Sequence, residues 1–219
     1  MNKNKICFIL CVNNQRYLQE CLLYLNQLSV PENFEVEILS IEEAISMTSG
    51  YNEGMHASDA KYKVYLHQDV FIVNKKFIFD IMTIFEDASI GMVGVIGSIS
   101  MPDSMIMWND KRVGRMYFSS FDQSGESVMG NCQICHNVEA IDGVMMITQY
   151  DLEWREDIFD KWDFYDVSQS YEFRKKGYKV VVPALNEPWC IHDDGVPNFE
   201  NFYDERKKFI QEYIWGDDI

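Results

Sequence analysis

The sequence predicts an α/β fold, a single domain whose central mixed, mostly parallel sheet is flanked by helices. Three observations predict it. A continuous apolar run over residues 6–12 suits a strand buried on both faces, and apolar positions at helical spacing follow at once. The run YKVYL ends in the polar triplet His67-Gln68-Asp69. A helix with clear stop signals then leads into the strand YKVVVP, which comes just before His192. Strands alternating with helices build parallel crossovers, and these are right-handed.

In chain order, Asn13 and Asn14 end the first strand, and Leu18, Cys21, Leu22, Leu25 and Leu28 mark a helix that stops before Pro31. Phe34, Val36 and Ile38 alternate as a second strand, and Ser40 with Glu43 offers a capping box for a short helix ending before Gly50. The small and polar stretch GYNEGMHASDA leads into a strand over 62–66. Asn74 can cap the next helix, whose apolar face is Phe77, Ile78, Ile81, Met82 and Phe85. IGMVGVIG follows as a strand whose glycines suggest close packing or a bulge.

Residues 98–137 are the least regular part, holding Trp108, a strand VGRMYF and the polar tract SSFDQSGESVMGN. A connection of that length inside a compact domain is usually functional or mobile. VEAIDGVMMIT resumes the sheet but breaks at Asp142-Gly143, where a β-bulge and a substrate contact are equally good readings. Gly177 supplies the left-handed residue that ends a helix over 167–176. Phe199, Phe202, Tyr203, Phe209 and Tyr213 then belong to a C-terminal helix or helix pair covering the sheet.

With 219 residues and 47% hydrophobic content, the chain can bury one good core. Its 19 basic and 35 acidic residues leave a net charge of -16, which disfavours nucleic acid as a partner because phosphate backbones need a basic surface. An anionic small substrate then needs local help, which a bound metal ion supplies. The six cysteines are scattered, several inside apolar runs, and read as reduced. The N-terminal apolar run is too short to span a membrane. The expected location is cytoplasmic, with peripheral association with membrane-bound enzymes left open.

Candidate functional residues cluster in two stretches. His67, Gln68 and Asp69 lie at the carboxyl end of a strand, between apolar runs, and polar groups there are costly unless paired or bound to something. Asp69 is a natural oxygen ligand for a divalent cation. Asp166 follows the aromatic turn Trp162-Asp163-Phe164-Tyr165. With Gln169 three residues on, it fits a capping box, and it also stands where a helix-start carboxylate can meet an imidazole such as His192 at one end of an α/β sheet. Taken alone, His192 reads as a hydrogen-bonded loop histidine. Cys132-Gln133-Ile134-Cys135-His136 has the CxxCH spacing of haem attachment. Its place in a polar loop ranks chance spacing first, a loop disulfide or metal clip second, and haem last.

The order of ICFILCVNNQRYLQECL, YNEGMHASDAKYKVYLHQDV, EAIDGVMMIT, FDKWDFYDVSQSYEFRKKGYKVVVP and CIHDDG resembles the family-2-type glycosyltransferases of the GT-A (Rossmann-like) fold. More narrowly, it resembles the small bacterial branch related to a streptomycin-biosynthesis protein domain. The resemblance implies a nucleotide-binding half over 1–97, a variable loop region over 98–137 and an acceptor-side half over 138–219. It places His67-Gln68-Asp69 at the family's DxD position, with Asp69 and His192 as metal ligands (Mn or Mg). His67, Gln68 and Asn52 fall on the donor side, and Asp166 is the general base.

Asp142, Gly143, Trp162 and Tyr165 are then expected near donor or acceptor sugar, with Trp162, Phe164 and Tyr165 available to stack on sugar faces. Desolvation by those aromatics is expected to raise the pKa of Asp166. The implied reaction moves a sugar from a nucleotide-diphosphate sugar to the hydroxyl of an unidentified glycan or small-molecule acceptor, with metal assistance and inversion. The alternative, suggested by His67 standing where a strict motif has aspartate, is a non-catalytic sugar-nucleotide or glycan-binding module.

Overall fold

The computed structural model describes residues 1–120, 124–129, 135–195 and 198–216. Strand β1 (Asn2–Val12) turns at Asn14 into helix α1 (Gln15–Leu25), and the Asn14 side chain caps α1 by accepting from the Arg16 and Tyr17 amides. Strand β2 (Glu35–Glu42) and helix α2 (Met47–Ala57) follow, and strand β3 (Ala60–Leu66) completes a first unit in which β2 and β3 flank β1 in parallel.

Helix α2 differs from the expectation. The capping box is Ser46 with Ser49, not Ser40 with Glu43, and the helix does not end before Gly50 but runs on through the small and polar GYNEGMHA stretch. Its glycines are the reason. A Cβ on Gly50 would lie 2.5 Å from the Cys11 sulfur, and one on Gly54 would collide with Ile9, so the helix can lie against β1 only without those side chains. That close approach outweighs the poor helix propensity of glycine.

The chain continues through β4 (Val70–Ile72), α3 (Phe77–Ile84), β5 (Ile90–Gly94), β6 (Ile96–Ser98), β7 (Arg112–Ser120), β8 (Ser124–Met129), β9 (His136–Asn137), β10 (Ala140–Ile141), β11 (Met145–Thr148), α4 (Tyr165–Lys175), β12 (Lys179–Val182), β13 (Cys190–Gly195) and α5 (Phe202–Tyr213). Asn74 makes a turn ahead of α3, accepting from the Lys76 amide, but does not cap it; Lys76 is the residue before the helix.

The main sheet has the order β2-β1-β3-β11-β5-β12-β9, and β11 runs antiparallel between β3 and β5. A second sheet has the order β10-β6-β7-β13-β4, with β8 also paired to β7. The stretch expected to be the least regular therefore supplies β7, a central strand of the second sheet. Cys132 and most of its CxxCH motif lie outside the described residues, and Cys135 is an exposed free thiol.

One buried cluster takes Phe8, Leu10 and Val64 from the first half of the chain and Met145, Val181 and Trp189 from the second, so one core runs under both. Among the described residues, no helix is long and apolar enough to cross a membrane.

Candidate active site

Four short segments meet at one end of the main sheet. The first is His67-Gln68-Asp69, where the chain leaves β3. Because β11 pairs antiparallel with β3, with Met145 opposite Leu66, the turn at Asp142-Gly143 lies beside that triplet. Within this turn the Val144 amide donates to Asp142 Oδ1 at 3.1 Å. The third segment is β13, whose antiparallel pairing with β4 sets His192 opposite Val70. The Asp193 amide then donates to the Asp69 carbonyl at 3.0 Å, which fixes the His192 ring beside the Asp69 carboxylate.

The fourth segment is the start of α4. Phe164, just before the helix, has φ +58, a left-handed conformation that costs a phenylalanine of the order of 1 kcal/mol. Packing holds it there. Its ring is buried against Phe202 and Phe209 of α5, at centroid distances of 5.0 and 5.6 Å. This anchored turn aims Tyr165 and Asp166 at the end of β3.

Asp69 Oδ1 lies 3.6 Å from His192 Nε2 and 4.0 Å from His67 Nδ1. That oxygen is buried and has no hydrogen-bond partner among the described residues. A desolvated carboxylate oxygen without a donor is unfavourable, and a cation satisfies it. His67, Asp69 and His192 offer ligand atoms all within 4.8 Å of one another, and they are the only such trio among the described residues. Two imidazoles and a carboxylate fit a divalent first-row cation. Burial lowers the pKa of His67 and keeps the ring neutral, although Asp69 opposes this.

Asp166 accepts two backbone hydrogen bonds, from Gly143 N at 2.9 Å and Val167 N at 2.8 Å. It does not form the capping box with Gln169, whose amide donates instead to the Leu152 carbonyl at 2.8 Å. Burial, and then the neighbouring negative charge of Asp142, push the Asp166 carboxyl up to about 7, with the two amides pulling the other way. A carboxylate poised there can take a proton at neutral pH.

Two clefts share His67 and Trp162. One, of about 170 Å³, is lined by Asp142, Gly143, Asp166, Trp108 and Phe202; the other, of about 120 Å³, by Asp69, Gln68, Asn13 and Cys11. Asp166 and Asp69 thus face two compartments of one groove, with His67 between them. A larger open concavity of about 870 Å³ elsewhere, around the loop 183–189, contains none of these groups.

The sequence model of the glycosyltransferase-like family matches residues 7–213. The chain belongs to that glycosyltransferase-like family. No curated protein matches it. Its structure is similar to S. aureus TarS 1–349 in complex with UDP, at 11% identity and a TM-score of 0.56, covering 95% of this chain and 65% of that one. It is also similar to the mannosyltransferase PcManGT from Pyrobaculum calidifontis in complex with GDP-Man and Mn²⁺, at 12% identity and a TM-score of 0.57, covering 96% of this chain and 62% of that one. Against a longer S. aureus TarS structure it covers 38% of that chain. At such identities the likeness establishes the fold, which is of the GT-A type.

Within this glycosyltransferase-like chain, the structure brings Asp69, His192, His67, Tyr165, Asp166, Asp142, Gly143 and Trp162 together. Three expectations change. Asn52 does not reach the groove: both ends of its amide engage the backbone of Trp154, donating to the carbonyl at 3.0 Å and accepting from the amide at 2.8 Å. Gln68 lines the groove but uses its side chain to tie β3 to the loop after β1, accepting from the amides of Asn13 and Asn14. Phe164 and Tyr165 are buried and cannot stack on a sugar, which leaves Trp162, 43% exposed, as the free aromatic face.

Sequence reasoning missed three groups. Tyr51 and Trp154 form a box around Tyr165, with centroids 5.9 and 6.2 Å away, and Trp108 sits at the mouth of the groove against Phe202. Only Trp108 had a signal, as a lone tryptophan in the irregular stretch.

Proposed function

We propose that the chain transfers a sugar from a nucleotide-diphosphate sugar to an acceptor hydroxyl, with metal assistance and inversion. The observation that carries this reading is Asp166, a carboxylate with a pKa near 7 whose cleft continues, through His67 and Trp162, into the one holding Asp69. Each group has a role that its chemistry fits. Gly143 N and Val167 N orient the Asp166 carboxylate, which takes the acceptor proton as the acceptor oxygen bonds to the anomeric carbon. The bond from that carbon to the diphosphate breaks in the same displacement, and no covalent glycosyl-enzyme forms.

Asp69 and His192 would hold a divalent cation, whose charge would offset that of the departing diphosphate. The Mn²⁺ and GDP-Man of the mannosyltransferase structure, and the UDP of the TarS structure, support this class of donor and cofactor. Trp162, the exposed aromatic shared by both clefts, would stack on sugar in this reading. Residues 1–97 form the nucleotide side of this proposal and residues 138–219 the acceptor side. The likeness to the streptomycin-related branch belongs to the same proposal.

The test is calorimetric titration of nucleotide-diphosphate sugars, including UDP-GlcNAc and GDP-Man, with Mn²⁺ or Mg²⁺ and then with EDTA. Metal-dependent binding of one donor, lost in Asp69→Ala, is the expected result. Failure to bind any donor in either condition would remove the transferase reading. Donor binding without transfer across an acceptor panel would favour a non-catalytic binding module.

A further inference from the structure

We infer that the acceptor is an uncharged oligosaccharide, whose reacting sugar enters the Asp166 cleft while its next sugars lie on an exposed aromatic platform of Trp108, Phe199 and Tyr203. The inference rests on the transferase reading and deepens it by naming the acceptor class. Sequence pattern assigns Phe199 and Tyr203, with Phe202, Phe209 and Tyr213, to the covering of the sheet. Phe202, Phe209 and Tyr213 are buried, but Phe199 is 52% and Tyr203 61% exposed, and Trp108 beside them is 47% exposed. Single exposed apolar side chains are ordinary, whereas a contiguous patch marks an interaction site.

Phe202 holds the platform together. Its buried ring neighbours all three, with centroids 4.9 Å from Trp108, 5.8 Å from Phe199 and 5.4 Å from Tyr203. It also packs on Phe164 at 5.0 Å, two residues before Asp166, so one ring joins the platform to the turn that carries the base. Trp108 is fixed by its own segment as well. It stands on a one-turn 3-10 helix (Met107–Asn109) whose Met107 is buried, and Arg206 of α5 donates to the Ser104 carbonyl nearby in the chain. A preformed surface of this kind loses little freedom when a ligand settles on it.

The neighbouring cleft chooses the ligand. Trp108 and Phe202 line the cleft of Asp166 and not that of Asp69, so the platform continues the acceptor side of the groove. At about 170 Å³ the cleft is well below the roughly 300–1,000 Å³ of pockets that enclose a small molecule. It therefore takes the reacting sugar alone, and the rest of the acceptor lies outside it. Asp142, Asp163 and Asp166 line the cleft, and among the described residues no lysine or arginine does. An acceptor bearing phosphate or carboxylate would meet like charge there, as would an anionic membrane surface facing a chain of net charge -16. The hydroxyls of a neutral sugar can instead donate to these carboxylates, and its C–H faces pack on aromatic rings.

The test is fluorescence titration of the full chain, without donor or metal, using ladders of one to six sugars built from glucose, mannose or N-acetylglucosamine. The expected result is one ladder whose affinity rises about tenfold from one sugar to three and then levels off as the platform fills. Trp108→Ala and Phe199→Ala should each remove most of that rise. Melting curves separate the loss from unfolding, and the more exposed Phe199 keeps the test decisive should Trp108→Ala fail to fold.

Affinity independent of length, a rise that survives in both variants, or no binding by any ladder would overturn the inference. So would loss, in the same variants, of binding to phosphatidylglycerol vesicles or of self-association in sedimentation, which would assign the platform to a membrane or to a second copy of the chain. Donor binding is read separately. A chain that binds a nucleotide sugar but no oligosaccharide loses the platform and keeps the transferase reading; one that binds oligosaccharide but transfers nothing loses the transferase reading and keeps the platform.

Discussion

Asp166 accepts a hydrogen bond from the Gly143 amide at 2.9 Å, across the boundary between the start of helix α4 and the turn that precedes β11. That contact fixes a desolvated carboxylate on the floor of the groove, with Asp142 beside it as a second negative charge. The pairing of these two segments converts an ordinary helix-start aspartate into a group that changes protonation near neutral pH.

The pH dependence of turnover follows from this. A base with a pKa of about 7 is mostly ionised above that pH and loses about tenfold of its active form per unit below it. With donor and Mn²⁺ saturating, transfer should rise on going from pH 6 to pH 8 with an apparent pKa near 7. A rate flat down to pH 5 would assign the proton transfer to another group.

The same shift has a stability consequence of opposite sign. The carboxyl is raised in the folded chain from an ordinary value of 3.8, so the folded state binds the proton more tightly than the unfolded state. Stability therefore falls as pH rises between about 4 and 7, and the penalty is complete above that. Asp166→Asn removes the charge. It should raise the melting temperature at pH 8 by several degrees, on the order of 2 kcal/mol after allowance for partial exposure, and by much less at pH 4.5. Thermal melts at the two pH values check this.

Gly143→Ala tests the close approach of the turn to Tyr165. Its methyl group would overlap the Tyr165 phenol, which must move away from His67. Transfer should fall at least about tenfold, the scale expected when a misplaced supporting group disturbs the reacting geometry. Steady-state kinetics beside a melting curve separate this loss from unfolding.

Asn52→Ala should destabilise the chain without weakening donor binding. The substitution leaves the Trp154 amide and carbonyl without their side-chain partners, at a cost of about 1–3 kcal/mol for each buried group left unsatisfied. Denaturant unfolding gives the cost. A nucleotide-sugar affinity that also dropped more than about threefold (~0.7 kcal/mol) would return Asn52 to the donor side.

Trp162→Ala should act in the opposite way. The ring is 43% exposed and lines both clefts, so its loss should raise the KM for donor or acceptor severalfold and leave stability within about 0.5 kcal/mol.

The parts of the site that were legible in the sequence are those set by a strand end. His67-Gln68-Asp69 was visible because polar residues break an apolar run, and His192 because it follows an apolar strand. The other parts depend on long-range pairing. The burial of Tyr165 follows from Tyr51 and Trp154, which lie 114 residues before and 11 residues before it in the chain and carry no local signal.

Helix α2 was hidden for a different reason. Local propensity reads Gly50 and Gly54 as breakers, and only the contact with Cys11 and Ile9 makes them requirements. The capping box at Asp166 misled in the same way, because the left-handed Phe164, held by α5, moved the start of the helix ahead of the aspartate.

The central claim is that Asp166 takes the acceptor proton in a metal-assisted sugar transfer. The most direct test is the rate of transfer by Asp166→Asn at saturating donor and Mn²⁺, read against donor affinity measured on the same sample. The account predicts a fall of at least about 100-fold in rate with donor affinity unchanged. A variant that transferred sugar within a few-fold of the unaltered chain would contradict it.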